Sequence, residues 1–402
     1  MNIKILSWFK PSDHHEYLHI DLGQHQYGNF SMATVKGNAI VEDQSQIESG
    51  PIGLKEEGPF GTFVEVYDGH AGPDASIFTR EKLFGILQGH IINKGRMSTE
   101  VLIDSIAELE NQYLGLVREN LPGMLLQETS CVVGMVSGGQ IYIANVGDSR
   151  AVMGTVVRTK SQVKAAFERK GIQAVPLTIN HSMKLNSGVQ DFNTRQLKYV
   201  HTDDYLRAKA YIRTSRTIGA AFLKMKEFNN CSGLSDTLRF KDNIRFPILS
   251  HVPWTKAEVL NADNKFVIFG SHGFWDLVDE QRVVEIVYNS SQKGIARVLI
   301  KHALKKVALD QGLTYRKLEK LEAGSSLSFY DDISVVVLFL DHHKINSNRV
   351  SPECPRVAVR TYGASRFLPT ADGASTSGSK STKEAGGSIW QHVRGIGSSF
   401  RS

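Results

Sequence analysis

The sequence predicts an α+β domain in which helices cover strands that are joined by short turns. Residues 129–136, 141–146 and 150–157 are rich in β-branched residues and are separated by Ser-Gly-Gly and Gly-Asp turns, which favours antiparallel hairpins. Amphipathic helical patterns occur in neighbouring pairs instead of alternating singly with strands. A parallel sheet built from regular βαβ units is therefore not expected.

The N-terminal part contributes the first two predicted strands. Residues 1–28 show no regular spacing of apolar residues, and we interpret them as an irregular segment whose scattered histidines favour a solvated surface over a metal site. Residues 29–38 predict a strand. Residues 62–67 alternate between apolar and polar types and predict a second strand, which ends in the turn Asp68-Gly69-His70.

Helical patterns dominate the segments that follow this turn. Residues 73–88 predict a helix, and a second helix begins at Ser98 with an apolar stripe that runs from Leu102 to Val117. Burial of this stripe against a sheet is its simplest explanation.

The second half of the chain repeats this mixture of elements. The predicted elements are a helix over 189–197, a buried strand over 266–270, amphipathic helices over 280–289 and 294–309, and a closing strand over 333–340.

Composition and charge exclude several classes of protein. The chain has 402 residues, 41% apolar and 22% charged, as in soluble globular proteins. Residues 342–402 contain nine basic and three acidic residues and account for the net charge of +6. We predict that this segment is a basic, largely flexible tail and that the rest does not bind nucleic acid. Three scattered cysteines indicate a reducing, intracellular compartment, and no window approaches the ~18 apolar residues of a membrane span.

The turn after the second predicted strand is a candidate cation site. Asp68 supplies a carboxylate at the end of a strand, and Gly69 can offer its carbonyl oxygen beside it. Hard cations prefer such oxygen ligands. An ordinary Asp-Gly turn between a strand and a helix is the alternative.

Other motifs share the chain with this turn, and their order is informative. They are Glu42-Asp43, residues 145–150, residues 215–219, residues 271–273 and residues 331–334. Together with Asp68-Gly69-His70 they resemble the motif set of the metal-dependent protein phosphatases of type 2C (PPM), and residues 42–50 and 245–250 resemble a plant branch of that family.

The resemblance spans about residues 30–341 and implies a fold and a domain division. It implies a four-layer α-β-β-α sandwich of two antiparallel sheets flanked by helices, with the metal site at one end between the sheets. We therefore expect a phosphatase-like domain over residues 29–341.

The resemblance also implies roles for individual residues around a pair of Mg²⁺ or Mn²⁺ ions. Glu42, the Gly69 carbonyl and the bridging carboxylate of Asp68 would hold one cation, and Asp43 would contact its waters. Asp331 would help Asp68 to hold the other cation. His70 would protonate the leaving oxygen, although a turn residue bonded to a carboxylate is equally compatible with its position.

Several positions depart from the family pattern. His272 stands where the resemblance implies an aspartate that holds the second cation. If His272 is a metal ligand, its imidazole favours Mn²⁺ or Zn²⁺ over Mg²⁺, and if it turns away the site holds one cation. Ala220 replaces another aspartate of the family pattern, so a third cation is not expected. Asp276, four residues after His272, is still present. Asn38 stands at the position of a phosphate-binding arginine. In the motif over residues 145–150, we expect Asp148 and Arg150 to pair with each other.

These observations lead to two hypotheses on function. The first is a protein serine/threonine phosphatase that uses a metal-activated water and is impaired by His272 and Ala220. The alternative is a catalytically weak pseudophosphatase that binds phosphoproteins as a regulator. We expect a phosphorylated protein substrate, a regulatory protein partner, no nucleic acid, no integral membrane segment and a monomer. We also expect an intracellular location in the cytoplasm or nucleus, with peripheral contact at the plasma membrane.

Overall fold

The computed structural model describes residues 17–53, 59–120, 123–160, 168–196, 212–240, 246–320, 329–346 and 356–361. Within these ranges the strands are β1 (Tyr17–His25), β2 (Gly28–Val35), β3 (Gln44–Pro51), β4 (Phe60–His70), β5 (Glu128–Ser137), β6 (Gln140–Val146), β7 (Arg150–Lys160), β8 (Glu168–Pro176), β9 (Ile218–Gly219), β10 (Trp254–Val259), β11 (Asn264–Gly270), β12 (Ile333–Phe339) and β13 (Val357–Arg360). The helices are α1 (Asp74–Lys94), α2 (Thr99–Glu119), α3 (Asn186–Gln196), α4 (Lys226–Asn229), α5 (His272–Trp275), α6 (Glu280–Tyr288), α7 (Ile295–Asp310), α8 (Tyr315–Leu318) and α9 (His342–Asn346), with a 3-10 helix over Ala221–Leu223.

The strands form two sheets in which neighbours run antiparallel. The first sheet has the order β1-β2-β12-β11-β7-β8, and the second has the order β10-β6-β5-β4-β3-β13 with β9 paired to β5. Apolar side chains from both sheets, such as Val66, Val132, Phe269 and Val336, are buried together between them. Side chains of one face of each sheet therefore share a single core, as in a sandwich.

Helices cover the outer faces of both sheets. Helices α1 and α2 contact the second sheet, and α6 and α7 contact the first. The first turn of α2 is fixed by Ser98, whose hydroxyl accepts a hydrogen bond from the backbone N–H of Val101, and Asp279 caps α6 in the same way. The predicted four-layer α-β-β-α sandwich is confirmed.

Two segments outside the predicted domain belong to the sheets. The prediction that residues 1–28 are irregular is wrong for Tyr17–His25, which form β1 and pair with β2. The prediction of a flexible tail after residue 341 is wrong for α9 and for Val357–Arg360, which pair with β3 as β13. The remainder of the tail, residues 362–402, lies outside the described residues.

The segment between β6 and β7 also differs from its prediction. The two strands lie in different sheets, so they do not form a hairpin. At Gly147 the backbone has a φ of 98°, and an added Cβ would lie 2.1 Å from the Ser130 Oγ. Glycine therefore lets the chain cross from one sheet to the other beside β5.

The expectation that Asp148 and Arg150 pair with each other is wrong. Asp148 accepts a hydrogen bond of 2.9 Å from the Ser130 hydroxyl, whereas Arg150 pairs with Glu280 at 2.7 Å and donates to the Trp275 carbonyl. They have different partners because Asp148 lies in the turn beside β5, whereas Arg150 is the first residue of β7 and faces α6. Among the described residues, no helix has both the length and the apolar character needed to cross a membrane.

Replacement of Gly147 tests the crossing between the sheets. Gly147→Ala is expected to lower the free energy of unfolding by about 2 kcal/mol or more, because the backbone is left-handed there and Ser130 blocks a Cβ. Urea unfolding measures the change. Gly115→Ala is the matched control, since an added Cβ in α2 meets nothing within 4 Å, and it should stabilise by about 0.5–1 kcal/mol. Equal effects of the two variants would contradict the assigned crossing.

His25 at the end of β1 gives a prediction on pH. Its ring nitrogens bond Thr62 and the Phe339 carbonyl, and burial lowers the pKa of His25 to about 4. Since the unfolded chain takes up this proton near pH 6.5 and the folded chain does not, stability is lost as the pH falls from about 6.5 towards 4.

Between pH 7 and pH 5 this single group should reduce the free energy of unfolding by about 2 kcal/mol. His25→Gln should remove that part of the pH dependence, whereas His343→Gln on the exposed start of α9 should retain it. Urea unfolding at both pH values checks this, and an unchanged slope in His25→Gln would refute the assignment.

Candidate active site

The candidate site lies at one end of the sandwich, where four segments meet. They are the loop before β3, the end of β4, the turn after β11 and the start of β12, which carry Glu42, Asp68, His272 and Asp331 in that order. Asp331 lies close enough to raise the pKa of both Glu42 and Asp68. The structure therefore brings together acidic residues that are almost 300 positions apart in sequence.

Asp332 holds the loop before β3 in place. Its Oδ1 accepts hydrogen bonds from the backbone N–H groups of Gly37 and Asn38 at 2.7 and 2.9 Å. Its Oδ2 accepts from the backbone N–H groups of Glu42 and Asp43 at 2.7 and 3.3 Å. The residue is 2% exposed. Charge-assisted bonds of this kind are stronger than neutral ones, so this carboxylate fixes the segment that presents Glu42 and Asp43.

Glu42 and Asp43 are carboxyl groups in a shielded and acidic environment. Burial, Asp332 and Asp331 raise the pKa of Glu42 to about 7. The same three causes raise the pKa of Asp43 well above its usual value, and its Oδ2 is buried without a hydrogen-bond partner. The ionised forms of these two carboxyl groups are therefore disfavoured unless a positive charge approaches them.

Asp68 lies near Asp43, Asp148 and Asp331, and its predicted bridging role stays a prediction. Its Oδ2 accepts a hydrogen bond of 2.8 Å from the backbone N–H of His272. Burial and the charges of Asp43, Asp148 and Asp331 raise its pKa, and Arg213 opposes them. At Gly69, the next residue, the backbone passes close to that of Glu42, since an added Cβ would lie 2.6 Å from the carbonyl oxygen of Glu42.

His70 is a neutral imidazole beside Asp68. Its Nε2 lies 3.2 Å from Asp68 Oδ1 but is not aligned for a hydrogen bond. Burial, followed by the charges of Arg213 and His272, lowers the pKa of His70 well below its usual value. His70 therefore has a proton to donate from Nε2 only in the neutral tautomer that carries hydrogen on that atom.

His272, the departure from the family pattern, has both ring nitrogens engaged. Nε2 lies 2.9 Å from Asp276 Oδ2, which also pairs with Lys184 at 3.2 Å. Nδ1 lies 3.5 Å from the Arg213 guanidinium. Both ring nitrogens therefore face protein groups in this arrangement, and the predicted role of His272 as a ligand stays a prediction.

Arg213 is a residue of the site that sequence reasoning missed. Its Nη2 lies 3.7 Å from Asp331 Oδ2, and 41% of its side chain is exposed. Burial of the guanidinium alone would lower the pKa of Arg213, but the charges of Asp68, Asp148, Asp331 and Glu128 raise it. The residues before Arg213 show no clear helical or strand periodicity, and Arg213 lies outside the motifs that resemble the phosphatase family. No signal in the sequence therefore singled it out.

The other two departures have structural explanations. Ala220 is 1% exposed and packs into an apolar cluster with Phe222 and Leu249, so it presents no oxygen to a cation. The Asn38 amide donates a hydrogen bond of 2.8 Å to Asp331 Oδ1. Asn38 thus orients an acidic residue of the site.

The donor chemistry fits a cation in one half of the site and not in the other. Within the described ranges, no three His, Cys, Asp or Glu side chains are already arranged to hold a metal ion. Glu42, Asp43 and Asp68 nevertheless form a buried acidic group with an unpartnered Oδ2, which suits a hard cation. Around Asp331, a guanidinium and an engaged imidazole do not suit one.

Comparison with known proteins identifies the family. The family model described as protein phosphatase 2C matches residues 45–312. Probable protein phosphatase 2C 79 of Arabidopsis thaliana is 37% identical over 371 residues, which cover 89% of this chain and 90% of that protein. The chain belongs to the protein phosphatase 2C family.

Further relatives agree with this membership. Probable protein phosphatase 2C 28 of Oryza sativa subsp. japonica is 35% identical over 355 residues, or 85% of each chain. The crystal structure of serine-threonine phosphatase 2C from Toxoplasma gondii matches with a TM-score of 0.55 and 15% identity over 81% of this chain and 99% of that one, which supports the fold.

Protein phosphatase 2C proteins are serine/threonine phosphatases and generally depend on metal ions, so this chain is a serine/threonine phosphatase by family. The matched range ends before Asp331 and begins after Glu42. The assignment of these two acids to the site therefore rests on the geometry described above, and their roles stay predictions.

The loop held by Asp332 gives a testable consequence. Asp332→Ala should lower the free energy of unfolding by about 3 kcal/mol or more, because four backbone N–H groups lose a charged acceptor. Chemical denaturation measures this. Asp341→Ala is the matched control, since that carboxylate accepts two backbone N–H bonds at the start of α9, and it should lose only about 1 kcal/mol. A loss at Asp332 no larger than at Asp341 would contradict the assigned role.

Proposed function

We propose that this chain removes phosphate from phosphoserine and phosphothreonine in proteins, with one Mg²⁺ or Mn²⁺ ion and a reduced rate. The observation that carries the proposal is the buried acidic group formed by Glu42, Asp43 and Asp68. Burial and mutual repulsion disfavour the ionised form of such a group, so a cation that approaches it is strongly attracted, and the family to which the chain belongs generally uses metal ions.

The residues of this group have distinct parts in the proposed reaction. Glu42 and Asp68 hold the cation with the Gly69 carbonyl, and Asp43 orients the surrounding water. When bound, the cation makes water easier to deprotonate and neutralises charge on the phosphoryl group. Asp332 keeps Glu42 and Asp43 in register through its bonds to their backbone. His70 protonates the leaving oxygen from its neutral form.

The reduced rate follows from the other half of the site. Asp331 contacts a guanidinium, and His272 is bonded to Asp276 and Arg213. A pair of metal ions stabilises both the attacking and the leaving oxygens of a phosphoester, and loss of one ion removes part of that stabilisation.

A phosphoprotein-binding pseudophosphatase is the second candidate, and Arg213 is the observation that favours it. A guanidinium that is 41% exposed beside the site can bind a phosphate group through paired N–H donors without hydrolysing it. In that case a phosphorylated protein is a ligand and the chain acts as a regulator.

The proposal extends to partners and location. We propose that a phosphorylated protein is the substrate, that a regulatory protein partner controls access to it, and that the chain acts as a monomer inside the cell, in the cytoplasm or nucleus and at the inner surface of the plasma membrane. The sparse cysteine content supports the location inside the cell. The basic residues after position 341 support the contact with the inner surface of the plasma membrane.

Activity measurements separate the two candidates. Wild type and His272→Asp are assayed on an aryl phosphate and on a phosphothreonine peptide with Mg²⁺, with Mn²⁺ and with chelator. Wild type should turn over slowly, and His272→Asp should be about 10–100-fold faster in Mg²⁺ because a carboxylate returns to the site. Asp68→Asn should lose the activity.

The control for this exchange is His302→Asp on helix α7, which should match wild type. A wild type without turnover under any cation that still binds the phosphopeptide supports the second candidate and overturns the first. Equal rates for wild type and His272→Asp in Mg²⁺ would show that His272 does not limit the reaction.

A further inference from the structure

Arg213 takes part in a continuous series of contacts across the second half of the site. Arginine only donates hydrogen bonds, so the 3.5 Å contact of its Nη2 with His272 Nδ1 makes Nδ1 the acceptor. Nε2 then carries the hydrogen and lies 2.9 Å from Asp276 Oδ2. The same Nη2 lies 3.7 Å from Asp331 Oδ2. The imidazole lone pair and Asp331 are thus both directed at the guanidinium.

The charge of Arg213 is balanced by acids from different parts of the chain. Asp68 ends β4, Asp148 follows β6, Glu128 begins β5 opposite His70, and Asp331 precedes β12. All four of these carboxylates attract the Arg213 guanidinium, and Asp331 lies 3.7 Å from it. A group surrounded in this way neutralises negative charge, as a bound cation would.

The backbone from Ile212 to Thr214 is held by contacts that do not involve the acids of the site. The Arg213 carbonyl accepts a hydrogen bond of 2.8 Å from Met183, and Thr214 bridges to Ser182. Ile212, immediately before it, is buried in an apolar cluster with Phe192. These contacts position Arg213 independently of its acidic partners.

From these contacts we propose that the Arg213 guanidinium is a built-in cation that occupies the place of the second metal ion, so that the site binds at most one divalent cation. The proposal rests on the proposed function for the identity of the site. It concerns cation binding alone and does not depend on turnover.

Removal of the charge tests the proposal by a readout other than activity. Mn²⁺ binding to wild type, Arg213→Gln and Arg213→Gln/His272→Asp is measured by titration calorimetry and by thermal unfolding with and without chelator. Wild type should bind about one Mn²⁺ per chain. Arg213→Gln should bind Mn²⁺ at least about tenfold more tightly, because one positive charge has left the site. The double variant should bind about two ions per chain.

Thermal unfolding gives the second expectation. In chelator, Arg213→Gln should melt below wild type, because the carboxylates lose their internal counter-charge, and Mn²⁺ should raise its melting temperature more than that of wild type. Arg213→Lys keeps the charge and should respond to Mn²⁺ as wild type does. The matched control is Arg297→Gln on α7, where the arginine is 45% exposed and pairs with Asp21 at 2.7 Å. It should leave the response to Mn²⁺ unchanged.

The outcomes separate this inference from the proposed function. Two Mn²⁺ ions per chain in wild type, or equal Mn²⁺ affinity in wild type and Arg213→Gln, would overturn the inference even if the enzyme is active. The predicted Mn²⁺ response in a wild type without phosphatase activity would sustain the inference and overturn the proposed function. If Arg213→Gln does not fold, two measurements still test the inference. They are the number of Mn²⁺ ions that wild type binds per chain and the effect of Mn²⁺ on the melting temperature of Arg213→Lys.

Discussion

The carboxylate of Asp332 is the contact on which the site depends. It joins the start of β12 to four backbone N–H groups of the loop before β3. This loop has no regular structure between β2 and β3, so no sheet ladder supplies acceptors for these groups. A buried carboxylate satisfies them with strong bonds, and the same bonds set the positions of Glu42 and Asp43 relative to Asp331.

This arrangement concentrates negative charge, and the protein has to compensate for it. Asp332 contributes to the raised pKa values of Glu42 and Asp43 while it holds their backbone. Burial strengthens the repulsion because water is excluded. Arg213 opposes this rise at Glu42 and Asp68, but its guanidinium lies beside Asp331 and His272. The half of the site around Asp331 therefore has a positive charge of the protein's own next to it.

The sequence predicted the features that depend on local pattern and missed those that depend on distant contacts. The apolar stripe of α2 and the alternation of β4 are local, and both were found. The turn after β6 carries the same local signal whether the chain returns to the same sheet or crosses to the other, so the hairpin prediction was wrong. Strand β1 does alternate Leu18, Ile20 and Leu22 with His19 and Asp21, and the interpretation of residues 1–28 as irregular overlooked this pattern, whereas β13 has only four residues, too few to show a period. Motif spacing located Asp68 and Asp331, but Arg213 meets Asp331 across more than a hundred residues that no local pattern connects.

The separation between fold and site explains how a family member can change its cation requirement. The core between the sheets is built from side chains such as Val66, Phe269 and Val336, whereas Arg213 and His272 lie at the end of the sandwich. Exchanges at these two positions therefore leave the packing that carries most of the stability unchanged. The backbone N–H of His272 bonds Asp68 whatever side chain the residue carries, so even the nearest acid keeps its position. A change of side-chain charge at the site thus alters the number and kind of cations without disturbing the scaffold that gathers the acids.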